Sequence, residues 1–259
     1  MSDDVRDTAA PVDAAIDEAR PELTPPSALG SAARSALLLG VFSLVFTALM
    51  ALTYEATREP IRASVDARRL DLIAQVLPPG DYDNVLLDDS VQMPALPALG
   101  LEQPVALLRA RRAGEPVALV FEARAPDGYS GAIRLLLALR ANGELAGVRV
   151  IEHRETPGLG DYIDPAKDRA RTPWITQFAG RDTTDATGWA VRKDGGDFAY
   201  MTGATISARA VIRAAGRAAA ALSPVRDALF ALPAGSDATP VFAPGVEPEH
   251  TAGELKNGS

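Results

Sequence analysis

The chain contains no cysteine and only two histidines, His153 and His250, among its 259 residues. Without thiols it forms no disulfide, no iron–sulfur cluster and no thiolate metal site. Two histidines cannot make a histidine-rich metal or haem site. We therefore expect no metal centre, and any redox chemistry must come from an organic cofactor.

Excess positive charge and nucleotide-binding glycine motifs are also missing. The formal net charge is -8 and the isoelectric point is about 4.9, whereas a nucleic-acid binder needs a basic face. The chain has neither a Gly-x-Gly-x-x-Gly motif nor a P-loop. We exclude nucleic acid as a partner, and we place any oxidation of NADH outside this chain.

One long apolar run is present, from Ser35 to Tyr54, bounded by Arg34 and Glu55. At about 1.5 Å per residue, such a helix is long enough to cross about 30 Å of hydrocarbon. A cleaved signal peptide is the alternative, but its apolar region is normally about 7 to 15 residues, and no small-x-small cleavage site follows here. We predict a single transmembrane helix over residues 35–54, embedded in a lipid bilayer.

The segments outside the central domain are low in apolar residues or rich in proline. Residues 1–34 are acidic and contain four prolines, which predicts a disordered tail. Residues 55–104 are predicted to be a stalk helix up to Val76, followed by a proline-rich irregular connection over Asp88 to Pro104. Residues 233–259 again combine glycine, proline and acidic residues, which predicts a disordered C-terminal tail.

Residues 105–232 carry the patterns of a folded domain. Asn142-Gly143 separates two strand-like runs, which is a strong hairpin signal. A helix is predicted from Ala208 to Leu222, with Ser207 as its N-cap. The remaining predicted elements are strands at Val117–Ala123, Ala132–Leu139 and Leu145–Glu152, a partly helical stretch at Ala166–Phe178 and a short strand at Ala190-Val191. The fold class is therefore α+β, with an antiparallel sheet packed by helices.

The run Met201 to Ser207, Met-Thr-Gly-Ala-Thr-Ile-Ser, places Thr205 in a small-residue turn directly before the predicted helix. A helix N-terminus presents unpaired N–H groups and the positive end of a dipole to an anion. The run therefore predicts a phosphate anchor at Thr205. The simpler alternative is a glycine turn followed by a serine cap.

Two further glycine-containing runs precede that motif. His153 to Gly160 follows a predicted strand, so its exposed backbone could lie against a flat ring, although a structural loop is the simpler reading. The run Gly128-Tyr129-Ser130-Gly131 precedes it, and Tyr129 on its own could equally be a core residue.

Together, these three runs resemble the motifs of covalent FMN-binding domains in ion-motive electron transport complexes, and most closely the G-subunit family of Rnf (also called Rsx) complexes. The resemblance covers about residues 35 to 232. It implies that FMN is joined to the Thr205 hydroxyl by a phosphoester, in a reaction catalysed by a separate flavin transferase. One departure concerns an acidic residue that family members carry three positions before the motif, where this chain has Ala199. Asp197 is the nearest acid, and Asp194 lies close by.

The resemblance also implies roles for the neighbouring residues and for the chain. A cradle for the phosphate and ribityl groups is formed by Thr202, Gly203, Ala204 and Ser207, and the ring-side wall by Glu155, Thr156, Pro157, Gly158, Leu159 and Gly160. The chain is expected to be an electron-carrying subunit and not a complete enzyme, with the other membrane subunits of the complex as its partners.

The orientation in the membrane has two conflicting indications. Arg20 and Arg34 precede the span, whereas Arg58, Arg62, Arg68 and Arg69 follow it, which by the positive-inside rule favours a cytoplasmic domain. The family resemblance implies a bacterial inner-membrane protein with its main domain in the periplasm. We expect the periplasmic orientation, because large domains translocate largely regardless of charge.

Two other functions remain open. The C subunit of the sodium-translocating NADH:quinone oxidoreductase carries the same kind of flavin and has a similar length. A membrane-anchored scaffold or binding module that has lost its cofactor is the alternative from a different class.

Overall fold

The computed structural model describes residues 28–183 and 187–243. The chain divides into two compact units, residues 1–62 and residues 63–259. Helix α1 (Ala28–Ala74) begins in the first unit and ends in the second. Residues 28–34, predicted to belong to a disordered tail, are therefore helical, because this stretch is rich in alanine and free of proline. The rest of that predicted tail lies outside the described residues.

Helix α1 is the one helix in the described ranges that is long and apolar enough to cross a membrane, with a mean hydropathy of 2.3 in its most apolar window. Every leucine, valine and phenylalanine side chain between residues 37 and 52 is exposed. Exposure of so many apolar side chains is unfavourable in water and favourable in hydrocarbon. This surface suits the interior of a bilayer.

The second unit is built on a five-stranded sheet in which each strand pairs antiparallel with the next along the chain. The strands are β1 (Ser90–Met93), β2 (Val105–Arg112), β3 (Glu115–Ala125), β4 (Ile133–Arg140) and β5 (Leu145–Glu152). The predicted antiparallel sheet and the α+β class are confirmed. The β4–β5 turn contains Asn142-Gly143, and Gly143 has a φ of 90°.

Both faces of the sheet are buried. On β3, Leu119, Phe121 and Ala123 point to the face covered by helix α2 (Thr205–Leu222), which contacts β3 and β4. The alternate residues of that strand pack on the opposite face with Ile73 and its neighbours. The buried face of α2 is largely alanine, and small side chains let the helix backbone approach the sheet closely. This packing fixes the position of the α2 N-terminus.

Two segments predicted to be irregular or disordered pack onto the edge of the sheet, so those predictions were wrong. Within residues 88–104, strand β1 buries Val91 and Met93 by simple alternation. Beyond residue 232, the Gly235 N–H group donates to the Ser90 carbonyl oxygen at 2.6 Å, and Ala238 is fully buried. The exposed edge of β1 supplies unpaired backbone groups to this segment. Residues 244–259 lie outside the described part of the chain.

Other predictions need smaller corrections. Val191 forms only an isolated bridge with Phe198 and not a strand. Within the predicted Ala166–Phe178 stretch, only a 3-10 helix at Trp174–Phe178 is present. The remaining helices are α3 (Arg226–Ala231) and short 3-10 turns at Pro79–Asp81, Pro97–Leu99, Gly160–Ile163, Arg192–Asp194, Ser223–Val225 and Thr239–Phe242.

A buried guanidinium group ties the sheet edge to α3. Arg109 is 2% exposed, and its Nε atom donates to Asp89 at 2.7 Å. Its Nη1 atom donates to the carbonyl oxygens of Leu229, at 3.1 Å, and of Leu232, at the end of α3. A cation at a helix C-terminus pairs with carbonyl groups that the helix leaves unsatisfied.

We predict that Arg109→Met lowers the free energy of unfolding by about 3 kcal/mol, because it leaves buried carbonyl oxygens and part of the Asp89 carboxylate unpaired. The measurement is denaturant unfolding of the full chain in detergent. The control is Arg124→Met, which removes an exposed ion pair with Glu102 and is expected to change stability by less than about 1 kcal/mol. Equal losses in the two variants would contradict this assignment.

Candidate functional site

The three motifs identified in the sequence meet around one cavity of about 230 Å³. It is lined by Tyr129 from the first motif, by Glu155, Thr156, Leu159 and Gly160 from the second, and by Gly203, Ala204, Ile206 and Ser207 from the third. Pockets that enclose a whole ligand are usually about 300–1,000 Å³. This cavity is smaller, so it suits part of a ligand whose remainder stays at the surface.

The carboxylate of Glu155 joins the three motifs. Glu155 is 3% exposed. Its Oε1 atom accepts a hydrogen bond from the Ser130 N–H group at 3.1 Å, and its Oε2 atom accepts a short one from the Ser207 hydroxyl. Buried carboxylates need such donors, since an unpaired one is strongly unfavourable. Ser207 lies in the first turn of α2, where a negative charge also complements the helix dipole.

The buried carboxylate leaves no room for a side chain at two glycine positions. A Cβ atom on Gly160 would lie 2.7 Å from Ser207 Oγ and 2.9 Å from Glu155 Oε2, and one on Gly128 would lie 2.8 Å from Glu155 Oε1. These distances are shorter than van der Waals contacts, so larger residues would displace Glu155. Gly128 and Gly160 therefore allow the close packing around the buried carboxylate.

Thr205 is the first residue of α2 and is half-buried. Its two neighbours, Ala204 and Ile206, both line the cavity. Ala204 occupies the N-cap position and makes no side-chain capping hydrogen bond. The predicted N-cap at Ser207 was wrong, because Ser207 is buried within the helix and donates its proton to Glu155. The helix end thus keeps its positive character beside Thr205.

The turn before Thr205 rests on Tyr162, which sequence reasoning missed. The Met201 N–H group donates to the Tyr162 hydroxyl at 3.3 Å, and that hydroxyl donates to the Ala204 carbonyl oxygen at 3.4 Å. Burial raises the pKa of Tyr162 above its ordinary value of 10.0, so the phenol keeps its proton at neutral pH. No spacing or motif pointed to this residue.

Ala199, the position of the departure described above, is also fixed by its neighbours. The Trp174 Nε1–H group donates to the Ala199 carbonyl oxygen at 2.6 Å, and the Ala199 N–H group donates to Gln177 Oε1 at 2.7 Å. The nearby acids have other partners. Asp197 pairs with Arg181 at 2.8 Å, and a hydrogen bond from Arg209 lowers the pKa of Asp194.

The rim of the cavity is apolar and exposed. Tyr129, Leu159 and Ile206 are 67%, 49% and 45% exposed, respectively. The reading of Tyr129 as a core residue was wrong, since the glycines around it hold its ring at the surface. Large exposed apolar side chains that surround a cavity are typical of binding sites.

Not all predicted site residues reach the cavity. Thr202, Pro157 and Gly158 are exposed and lie outside its lining, and Gly203 lines it with a φ of 91°. Thr205 is half-buried and is not itself part of the lining, although both of its chain neighbours are. His153 accepts the Glu155 N–H group at Nδ1, at 3.2 Å, and therefore supports the backbone of that loop. Among the described residues, no group of three or more histidines, aspartates or glutamates could hold a metal ion.

We predict that Glu155→Ala lowers the free energy of unfolding by about 3 kcal/mol, because it leaves two buried donors without acceptors and opens a cavity. Glu155→Gln should lose less than half as much, since an amide can still accept from Ser130 and bond to Ser207. Denaturant unfolding measures both variants. A glutamine variant as unstable as the alanine variant would show that the charge, and not the hydrogen bonding, holds the loops together.

Comparison with known proteins gives a family for both parts of the chain. Residues 128–220 match the family model described as an FMN-binding domain, and residues 29–76 match the RnfG N-terminal region. The G subunit of the ion-translocating oxidoreductase complex of Pseudomonas aeruginosa strain UCBPP-PA14 is 46% identical over 201 residues, covering 76% of this chain and 92% of that protein.

Two proteins of the same name from other bacteria agree with this match. The one from Pseudoalteromonas atlantica is 42% identical, with 76% of this chain and 91% of that protein covered. The one from Shewanella loihica is 39% identical, with 79% and 95% covered. The FMN-binding match contains all three motifs that line the cavity. This chain therefore belongs to the family of G subunits of ion-translocating oxidoreductase complexes.

Proposed function

We propose that this chain is a membrane-anchored flavoprotein that relays electrons within an ion-translocating complex through FMN joined to Thr205 Oγ1. The observation that carries the proposal is the position of Thr205. It is half-buried at an uncapped helix N-terminus, directly beside a cavity to which all three motifs contribute. The other membrane subunits of the complex are its partners.

The residues around Thr205 fit a phosphoryl group. The α2 N-terminus provides backbone N–H groups and a positive dipole end, which favour an anion. Gly203 is exposed, and a Cβ atom there would meet no atom within 4 Å, so the turn before Thr205 leaves room for a bulky group at that position. We assign Thr202, Gly203 and Ala204 to the phosphate and ribityl side of the site.

The cavity fits one portion of a flat ring. Leu159, Ile206 and Tyr129 supply an apolar surface, and Glu155, Thr156 and Gly160 complete the wall. We do not assign the ring to Pro157 or Gly158, which lie outside the lining. When bound, FMN supplies reversible electron-transfer chemistry, while the protein fixes its position and environment. A ring held by so few contacts would dissociate readily, which is the physical reason for a covalent link.

Thr205 accepts the modification and does not activate itself. Among the described residues, its hydroxyl has no hydrogen-bonded base, and the nearest buried carboxylate, Glu155, is already bonded to Ser207. Ester formation joins Oγ1 to the flavin phosphorus of an activated flavin diphosphate ester, the bond between that phosphorus and the leaving phosphate group breaks, and the leaving group takes up the hydroxyl proton. These features support modification by a separate flavin transferase.

The two alternatives are less well supported. The match of residues 29–76 to the RnfG N-terminal region, together with relatives that are named as G subunits, favours this family over the sodium-translocating C subunit. A scaffold without a cofactor would not explain why an uncapped helix N-terminus lies beside a cavity with an apolar rim.

We predict that the full chain, co-expressed with a flavin transferase, gains about 438 Da on Thr205, the mass of FMN less water. Thr205→Ser retains a hydroxyl and should still be modified, whereas Thr205→Ala should remain unmodified and colourless. Thr239→Ala, at an exposed threonine outside the three motifs, is the matched control and should keep its flavin. Peptide mass spectrometry locates the adduct, and modification at another residue would refute the assignment.

We also propose that the domain lies in the periplasm and that α1 crosses the bacterial inner membrane once. The absence of native cysteine allows a direct test with single introduced cysteines. We predict that a membrane-impermeant maleimide labels Ala179→Cys, at an exposed position, when only the outer membrane is permeabilised. Ser2→Cys should react only after the inner membrane is lysed. The reverse pattern would place the domain in the cytoplasm.

A further inference from the structure

A cluster of cations lies on the loop between the 3-10 helices Gly160–Ile163 and Trp174–Phe178. This loop, here called the basic loop (residues 164–173), carries Lys167, Arg169 and Arg171, all exposed. Within the described ranges, none of the three forms an ion pair or a hydrogen bond through its side chain.

The lack of ion pairs distinguishes this cluster from most arginines of the domain. Nine arginines there are paired with carboxylates, namely Arg109, Arg111, Arg124, Arg134, Arg140, Arg181, Arg209, Arg213 and Arg226. Other exposed cations without such a pair lie singly, as at Arg112 and Arg217, or in pairs, as at Arg68-Arg69 and Arg192-Lys193. In a chain of net charge -8, the three unpaired cations at alternate positions of the basic loop form a local cationic cluster.

The acidic residues of the basic loop form no ion pair with its three cations and bind backbone N–H groups instead, so the loop carries three cations against two carboxylates, a net charge of +1. Asp164 Oδ1 accepts from the Ala166 N–H group at 3.0 Å. Asp168 accepts from Ala170 at 2.9 Å through Oδ1 and from Trp174 at 2.6 Å through Oδ2. Aspartates that accept from residues two positions ahead form local turns. The loop is thus fixed by its acids, and its cations remain available.

The basic loop borders an apolar groove of about 440 Å³. Asp168, Ala170 and Thr172 of the basic loop line this groove together with Tyr200 and Met201. The aromatic residues Tyr162 and Trp174, whose ring centroids are 5.5 Å apart, also belong to its lining. Met201 lies four residues before Thr205, so the groove adjoins the segment that carries the proposed flavin.

We propose that the basic loop and this groove form the docking surface for an acidic surface on the subunit that exchanges electrons with the flavin. The inference rests on the proposed function, because it takes its partner from electron transfer at Thr205. Complementary charge guides two proteins into one orientation. Aromatic and methionine side chains are enriched at protein interfaces, whereas a layer of polar lipid headgroups would not fill an apolar groove.

Zero-length cross-linking tests the contact directly, because a carbodiimide joins a lysine amine only to a carboxylate that touches it. The chain has three lysines, Lys167, Lys193 and Lys256. In native membranes that contain the assembled complex, we expect Lys167 to be joined to an aspartate or glutamate of another subunit. Lys193, also exposed, is the internal control and should not be joined to that subunit.

The same digest separates the two proposals, because it also reports the mass of the Thr205 peptide. A cross-link from Lys167 with an unmodified Thr205 would contradict the flavin site and leave an interface at the basic loop. A modified Thr205 without any intersubunit cross-link at Lys167 would overturn the docking surface and leave the flavin site intact.

A charge-removal variant provides the second test. The triple variant Lys167→Gln/Arg169→Gln/Arg171→Gln should bind the rest of the complex about tenfold more weakly at low salt, because it loses several rim ion pairs. The difference should shrink at high salt, since screening shortens the Debye length. The control, Arg112→Gln/Lys193→Gln/Arg217→Gln, removes equal charge elsewhere and should bind like the wild type.

Flavin content should be unchanged in both triple variants. Equal weakening in the two would show that only net charge matters and would overturn the proposal. Normal binding to the complex, combined with weaker binding of the full chain to vesicles of anionic phospholipid, would instead assign the basic loop to a membrane surface.

Discussion

The buried carboxylate of Glu155 is the interaction on which the site depends. It accepts from the backbone of the first motif and from a hydroxyl in the first turn of α2, while it belongs to the second motif itself. Gly128 and Gly160 pack against it so closely that neither could carry a Cβ atom without moving it. Three segments that are distant in sequence are therefore held at one cavity by a single side chain. The packing of α2 on the sheet fixes the position of the helix N-terminus, and Glu155 then orients the first turn of the helix.

The N-terminus of α2 therefore has two different roles, one structural and one in binding. On the buried side, Glu155 and Ser207 stabilise the first turn. On the side of the exposed Gly203, the N-cap residue Ala204 makes no side-chain capping hydrogen bond, and the half-buried Thr205 begins the helix. A negative phosphoryl group on that side would meet the unsatisfied end of the helix. The apolar rim would contact one part of a flavin ring, and the rest of the ring would remain accessible to a partner subunit.

The sequence was informative where its signals were local. Strands β3 and β4 contain uninterrupted apolar runs, the apolar run of β5 is broken only by Arg149, and Asn142-Gly143 marked the turn between β4 and β5. Strand β2 was missed because Arg109 and Arg111 resemble surface residues, whereas Asp89, twenty residues away, satisfies both. The motifs identified the loops of the cavity, but spacing could not reveal that Ser207 bonds to Glu155 or that Tyr162 supports the turn before Thr205. Both contacts join residues about 40 to 50 positions apart, and tertiary packing alone brings them together.

The central claim is that Thr205 carries a flavin whose ring rests against the cavity of the three motifs. An experimental structure of the complex isolated from its native membrane tests this most directly. The account predicts continuous density from Thr205 Oγ1 through a phosphate at the α2 N-terminus to a ring beside Leu159 and Ile206, with Glu155 still bonded to Ser207. Density for a flavin elsewhere on the domain, or a Thr205 hydroxyl turned into the core with the cavity filled by protein side chains, would contradict it.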